Sequence, residues 1–349
     1  MDLFVHEYFS SGAYAGDLRE NSLAPEGLAM LAAILQDFAT CSVGRVVTTL
    51  DRRLTGDAHG TGVGSWADVH WAESPENERA LFQTLAAQCA GTFVIAPEMD
   101  GTLLERRQQV EAAGGRFIGH SAGAIKLCSD KLAFFEHLAR HDLPTIQTKL
   151  FDRTAAASTF QFPIVIKPRD GAGSQETYLI RNEREFADLH KMLDATFGRE
   201  GQTIVQPYLA GLALSIGAIA DGPSGSVHVF PIGQQHLSDD GRFHYRGGTI
   251  PASLPKAIDA SQLVTRICRS IEGLSGYIGF DLLLTADSQC LLVVEANPRL
   301  TTSYLGYRAL AKENLAARIL HPERANGTIA WHDGRVEFTA DGRIRSSAG

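Results

Sequence analysis

Three oxygen-bearing side chains stand near the ends of two apolar segments: Asp281 in Gly279-Phe-Asp281-Leu-Leu-Leu, and Glu295 with Asn297 in Leu292-Val-Val-Glu295-Ala-Asn297-Pro-Arg299. Carboxylates and an amide offer hard oxygen donors. These suit Mg²⁺ or Mn²⁺, and Mg²⁺ is usually held by one or two carboxylates together with the phosphates of a nucleotide. An ATP site is the chemistry this pattern first suggests. On an extended strand residues 295, 297 and 299 share a face, so Glu295, Asn297 and Arg299 can point at one ligand. The same residues also fit a strand that ends in a solvated Glu-x-Asn-Pro turn.

Upstream, Phe162-Pro-Ile-Val-Ile-Lys167 reads as a short buried strand, followed by the turn Pro168-Arg-Asp-Gly171-Ala-Gly173-Ser174 and a second strand near 178–180. Glycines let backbone close over a polyphosphate: the amides of residues 172–174 and the Ser174 hydroxyl can donate to phosphate oxygens, and Lys167 adds a point charge. No Gly-Lys-Ser/Thr follows, so this is not a Walker A loop, and a plain hairpin turn fits as well. Ser129-Asp-Lys131 opens an amphipathic helix with Leu132, Phe135, Leu138 and Ala139 on one face and Ser129 as its N-cap. Lys131 near that terminus can reach an anion or remain a surface lysine. In Thr203-Ile-Val-Gln206-Pro207-Tyr208-Leu209 a proline interrupts a strand. The backbone groups it frees could face an adenine edge, or the segment could be an edge strand.

Taken in order, these pieces resemble the ATP-grasp superfamily over residues 122–320. The resemblance implies that Lys131 and Lys167, with Gly171, Gly173 and Ser174, touch the phosphates of ATP. It implies that the backbone of Gln206, Pro207, Tyr208 and Leu209 meets adenine, that Asp281, Glu295 and Asn297 hold two Mg²⁺ (or Mn²⁺) ions, and that Arg299 and Lys167 act at the reacting centre. Ala213 departs from the pattern, since the family often has a glutamate for the ribose hydroxyls there. Further phrases, Val5-His-Glu7-Tyr-Phe-Ser-Ser11-Gly12, Ser22-Leu-Ala-Pro-Glu26-Gly27, Ile95-Ala-Pro-Glu98 and Asn297-Pro-Arg-Leu-Thr-Thr-Ser-Tyr304, resemble the tyramine-glutamate ligase branch, which makes a methanofuran-type cofactor precursor. That branch implies an ADP-forming carboxylate-amine ligase acting through an acyl phosphate, with glutamate as acid and tyramine or a related aromatic amine as nucleophile. A ligase or kinase with other acceptors, and an ATP-binding module without turnover, fit the same residues.

The elements that must carry these groups follow from apolar periodicity. The first part alternates strand (3–9), helix (25–38), strand (45–50), helix (76–88), strand (92–96), helix (104–113) and strand (116–118), which predicts an open parallel α/β domain over residues 1–118. A central α+β lobe (119–205), a strand-rich lobe with the acids (206–320) and a terminal hairpin (321–349) complete an α/β, ATP-grasp-type chain. Capping boxes are expected at Thr102/Glu105 and Asn182/Glu185. Ligands of parallel sheets sit beyond the carboxyl ends of strands, which makes Ser10, Ser11 and Glu98 the candidates for a second substrate, with Glu98 facing an amine. Asp51 suits turn chemistry better. The segment 239–248 reads as a polar loop able to close over a substrate.

At 349 residues and 44% hydrophobic composition the chain can bury a sizeable core. A net charge of −8 argues against nucleic acid as main partner. No apolar run approaches the roughly 20 residues of a membrane span. The start Met1-Asp-Leu-Phe-Val-His lacks a basic leader, and five scattered cysteines suit reduced thiols, so a cytoplasmic location is expected; small-molecule acid and amine partners are what the resemblance implies. Oligomeric state is left open, with a homo-oligomer compatible. His137 and His141, four apart, lack a third zinc ligand.

Overall fold

The computed structural model describes residues 2–19, 21–41, 43–56, 62–196, 201–222, 225–254, 258–324 and 327–347. Its first layer is a five-stranded parallel sheet, β1 (Leu3–Glu7), β2 (Val46–Asp51), β3 (Asp68–Ala72), β4 (Gly91–Ile95) and β5 (Phe117–Ile118), in the order β3-β2-β1-β4-β5. Helices α1 (Leu23–Ala39), α2 (Pro75–Gln88) and α3 (Thr102–Ala112) connect the strands. β1 and β2 are buried along their whole length on both faces, as a sheet covered by helices requires, and their polar residues His6, Glu7, Thr48, Thr49 and Asp51 are buried with the rest. The strand order reverses around β1, so the carboxyl ends of β1 and β4 flank the crevice where such sheets bind ligands. Glu7 and Glu98 stand there.

Two short helices, α4 (Ala122–Ser129) and α5 (Lys131–Arg140), lead into a four-stranded sheet of β6 (Lys149–Leu150), β7 (Ile164–Pro168), β8 (Tyr178–Ile180) and β9 (Thr203–Pro207), ordered β6-β9-β7-β8. Phe151, Ile164, Ile166, Phe186 and Leu189, the last two on α6 (Glu183–Thr196), form its core. The third sheet has eight strands: β10 (Gly211–Asp221), β11 (Ser226–Val229), β12 (Gly233–Leu237), β13 (Tyr245–Ile250), β14 (Ser275–Thr285), β15 (Leu291–Asn297), β16 (Arg335–Thr339) and β17 (Ile344–Ser347). β14 lies between β10 and β15 in antiparallel pairing, which sets Asp281 opposite Glu295 and Gly279 opposite Asn297. β16 pairs with β13, so the last hairpin extends this sheet. α7 (Ala260–Ser270) packs Leu263, Val264, Ile267 and Cys268 under β10 and β14. α8 (Tyr304–Leu310) and α9 (Leu315–Leu320) return the chain to α1.

Three local expectations change. Ser129 closes α4, and Asp130 caps α5 instead, accepting from the amides of Leu132 and Ala133; a carboxylate at that place also pairs with Arg169 at 2.5 Å. Thr102 makes no capping box. The turn before it runs through Gly101 at φ +71°, Thr102 is already helical, and its hydroxyl donates to Met99 O. In the 239–248 segment, Tyr245–Gly248 is strand rather than loop. Gly247 and Gly248 lie there because a side chain would collide with Phe338 and its backbone on β16. Asn182 does receive the Glu185 amide at 3.0 Å, while the Glu185 carboxylate reaches back to the Arg181 amide. Among the described residues no helix is long and apolar enough to cross a membrane.

Candidate active site

A cleft of about 810 Å³ opens between the central sheet and the eight-stranded sheet. At its middle, Lys131 and Lys167 arrive from different elements, α5 and β7, and meet at one acid. Lys167 Nζ lies 3.4 Å and Lys131 Nζ 3.6 Å from Glu295 Oε2. Lys131 Nζ also donates to Gly171 O at 2.6 Å, tying the glycine-rich loop to the helix terminus. Burial lowers the Lys167 pKa, with Glu295 acting in the opposite sense. Burial pushes Glu295 upward too, but the two ammonium charges outweigh it and hold that carboxyl at about 2.

Asp281 faces Glu295 across the β14–β15 ladder and accepts from Gln235 Nε2 at 3.0 Å. Burial, and next the Glu295 charge, push Asp281 up to about 8. Two half-buried carboxylates face one another, with the Asn297 side chain hydrogen-bonded to Asp281. That donor set is all oxygen, and a divalent cation between the acids would remove the repulsion that keeps a proton on Asp281. The residues present therefore fit Mg²⁺ or Mn²⁺.

The loop Gly171–Ser174 covers one side of the cleft. Gly173 (φ +62°) sits so close to Leu23 of α1 that a β-carbon there would collide with it. Asp170 accepts from the Asp100 amide at 3.1 Å. The phosphate-type loop thus rests on the first domain. At the outer end, Pro207, Tyr208, Leu209, Leu237 and Phe243 form an apolar wall suited to a flat heterocycle. The free backbone expected at the proline is partly used: Gln206 and Pro207 lie opposite Val165 and Ile164, and the Tyr208 amide donates to Pro163 O at 3.0 Å. The Gln206 side chain donates to Thr148 Oγ1 at 2.8 Å. Ala213 lines the cleft opposite Leu283 in the ladder, and Asp239 borders the same cleft from the β12–β13 loop.

Arg299 reaches the inner end, where its Nε lies 3.0 Å from Glu98 Oε1 and 3.2 Å from Oε2. Burial lowers its pKa, but Glu98 and Glu26 outweigh this and raise it. Glu98 therefore pairs with Arg299, in the bend that follows β15, rather than facing an amine. Ser10 and Ser11 are fully buried in the tight turn after β1 and do not line the cleft. The Ser10 amide donates to Glu7 Oε2 at 2.7 Å, and the Ser11 hydroxyl donates to Tyr8 O at 3.0 Å. Asp51 caps the turn after β2, accepting from the Arg53 amide at 2.8 Å.

Sequence reasoning passed over Glu26, Tyr245 and Gln235 as site residues, all of which line the cleft. Glu26 accepts a hydrogen bond from Thr302 Oγ1, in the stretch after Arg299. The signal available was Glu26 in a Pro-Glu-Gly phrase at a helix start, without anything to show what it faces.

The segment 128–303 matches the family model described as ATP-grasp domain, and 44–125 matches the pre ATP-grasp 3 domain. Among curated proteins, the chain is 29% identical over 213 residues to a D-alanine–D-alanine ligase from Oleidesulfovibrio alaskensis, covering 58% of this chain and 67% of that one. Among solved structures it resembles a protein assigned to the ATP-grasp superfamily from Archaeoglobus fulgidus, with a TM-score of 0.68, 21% identity, and coverage of 97% of this chain and 92% of that chain. It also resembles the biotin carboxylase domain of 2-oxoglutarate carboxylase from Hydrogenobacter thermophilus, solved with MgADP, ADP and bicarbonate: TM-score 0.73, 16% identity, 96% of this chain and 73% of that chain.

Proposed function

This chain belongs to the ATP-grasp family, and on that premise we propose that it is an ADP-forming ligase that joins a small carboxylic acid to an amine through an acyl phosphate. The observation that carries this reading is the convergence of Lys131 and Lys167 on Glu295, directly opposite Asp281: cations for phosphate oxygens and acids for a metal share one buried wall. A ligase by name among the relatives supports the same chemistry.

A carboxylate cannot expel oxide, so it must be activated before an amine attacks. In this reading Lys131, Lys167, Gly171, Gly173 and Ser174 hold the triphosphate, and the segment Gln206–Leu209 borders adenine. Asp281, Glu295 and Asn297 would hold Mg²⁺, which when bound neutralises charge on phosphate oxygens. Arg299, in the bend two residues past the end of β15, stabilises charge on the transferring phosphoryl group and then on the acyl phosphate. Glu98 fixes the guanidinium for that task. The amine attacks the acyl carbon, the C–O bond to phosphate breaks, and phosphate departs with the electron pair.

For the partners we propose glutamate and tyramine or a related aromatic amine, in a methanofuran-type pathway. Support comes from where the phrases carrying that resemblance fall: Glu7, Glu26 and Glu98 from the first domain gather around Arg299, with Thr302 bonded to Glu26. A screen of amino acids against aromatic amines, read as phosphate release, tests the proposal. Release that needs both glutamate and an aromatic amine is expected, whereas release with neither dependence refutes a ligase.

A further inference from the structure

Four carboxylates among the described residues line the cleft: Glu26, Asp239, Asp281 and Glu295. Asp281 and Glu295 face each other across the ladder and are committed to cations, and Asp239 stands exposed on the β12–β13 loop near the apolar wall. Glu26 belongs to neither group. It lines both the main cleft and a cavity of about 40 Å³ that continues past Arg299 to Glu7, where the first domain meets the glycine-rich loop at Ala172 and Gly173.

The side chain is held by the fold. Gly27, next in sequence, brings α1 into contact with Glu7 where a β-carbon would collide with its carboxylate. Further along α1, Asp37 accepts from Tyr304 Oη at 2.7 Å and from Arg308 Nη2 at 2.7 Å, which fastens the helix to α8. Thr302 Oγ1 donates to the Glu26 carboxylate. The groups that face it are Arg299, Tyr245, whose hydroxyl bonds Ser303, and Glu7 behind the small cavity.

An amine brings a specific chemical difficulty to this cleft. It arrives as an ammonium, which Lys131, Lys167 and Arg299 repel, and it must lose a proton before its nitrogen can attack. We propose that Glu26 binds the ammonium group of the acceptor amine and takes one proton from it, freeing the nitrogen lone pair for attack on the acyl carbon. The N–C bond then forms, the C–O bond to phosphate breaks, and phosphate leaves with the electron pair and carries away the second proton that the nitrogen loses, so that one proton rests on a Glu26 oxygen and one on phosphate. Burial raises the Glu26 pKa, which makes its carboxylate a stronger base than a solvated one. The inference rests on the ligase reading above.

Hydroxylamine separates the two. It is a small nucleophile that reacts in its neutral form, so it intercepts an acyl phosphate without an ammonium site. The full-length enzyme with ATP, Mg²⁺ and glutamate should form a hydroxamate, and Glu26→Gln should keep most of that activity. Ligation of tyramine by Glu26→Gln should fall about a hundredfold, with a higher KM for tyramine and little change in KM for ATP. Glu26→Asp should recover part of the loss. Tyramine ligation by Glu26→Gln at the wild-type rate overturns the assignment, and so does an equal loss of hydroxamate and amide. A wild-type enzyme that forms neither product from glutamate refutes the ligase reading with that acid, and the assignment with it.

Discussion

Replacing Arg299 by alanine tests two consequences of one ion pair. The guanidinium is 12% exposed and its partner Glu98 4%, at 3.0 Å. Removing one partner of a buried pair leaves the other charge uncompensated, at a cost of about 3 to 5 kcal/mol. Glu26, within the field of Arg299, adds to the excess negative charge and places this site at the upper end of the range. Catalysis should suffer separately: losing one preorganised charged donor costs about 3 to 4 kcal/mol of transition-state stabilisation, roughly a hundredfold to a thousandfold in rate. The double variant Arg299→Ala/Glu98→Gln divides these effects, because the neutral amide removes the stranded charge without returning the guanidinium. Urea unfolding and single-turnover phosphate release are measured on the same preparations. The single variant should lose both stability and turnover, and the double variant should regain much of its stability while turnover stays low. Turnover that recovers in step with stability would show that Arg299 is a structural pair only, and the catalytic reasoning would be wrong.

Three further outcomes are expected. Glu295→Gln should abolish phosphate release at saturating Mg²⁺ with an unchanged circular dichroism spectrum, since it removes the charge on which both lysines converge; retained wild-type turnover would defeat the metal assignment. Lys167→Ala should weaken ATP binding in calorimetry by a factor of at least about ten, one charge-assisted contact being worth about 1.5 to 3 kcal/mol, and an unchanged affinity removes Lys167 from the nucleotide site. Burial pushes Glu7 up to about 7 from a usual 4.5. A raised carboxyl favours the fold below its unfolded pKa and loses that contribution as pH rises through 7, so between pH 5 and 8 about 3 kcal/mol is at stake. Glu7→Gln should flatten that dependence in denaturation midpoints, and an identical pH profile for variant and wild type argues against a protonated Glu7.

The residues proposed for phosphate and metal were legible because each lies in a short local pattern: a lysine ending an apolar strand, glycines after it, and an acid and an amide, Glu295 and Asn297, alternating along β15. The alternation of strands and helices in the first domain was equally local. β3 escaped because Asp68–Ala72 is a short, half-exposed edge strand whose apolar face is only Val69 and Trp71. β13 was read in part as loop because Gly247 and Gly248 look like turn residues until Phe338 is placed against them. At the inner end of the cleft Arg299 and Glu98 were named, but their pairing and the place of Glu26 could not be read. Glu26 meets Thr302 across 276 positions and Glu98 meets Arg299 across 201, and no spacing along the chain encodes such neighbours. Ser10 and Ser11 were chosen on position after a strand, but the turn folds them inward.

Leu23 and Glu26 stand one helical turn apart on α1, the first beneath Gly173 of the glycine-rich loop and the second at the inner end of the cleft. Whatever shifts the loop on its apolar seat therefore bears on the helix that carries Glu26. Binding free energies are reciprocal: if ATP, by fixing that loop, alters the affinity for the amine by some factor, the amine alters the affinity for ATP by the same factor. A single helix turn thus links the two ends of the cleft, and the order in which substrates enter becomes a property of how the loop sits on Leu23.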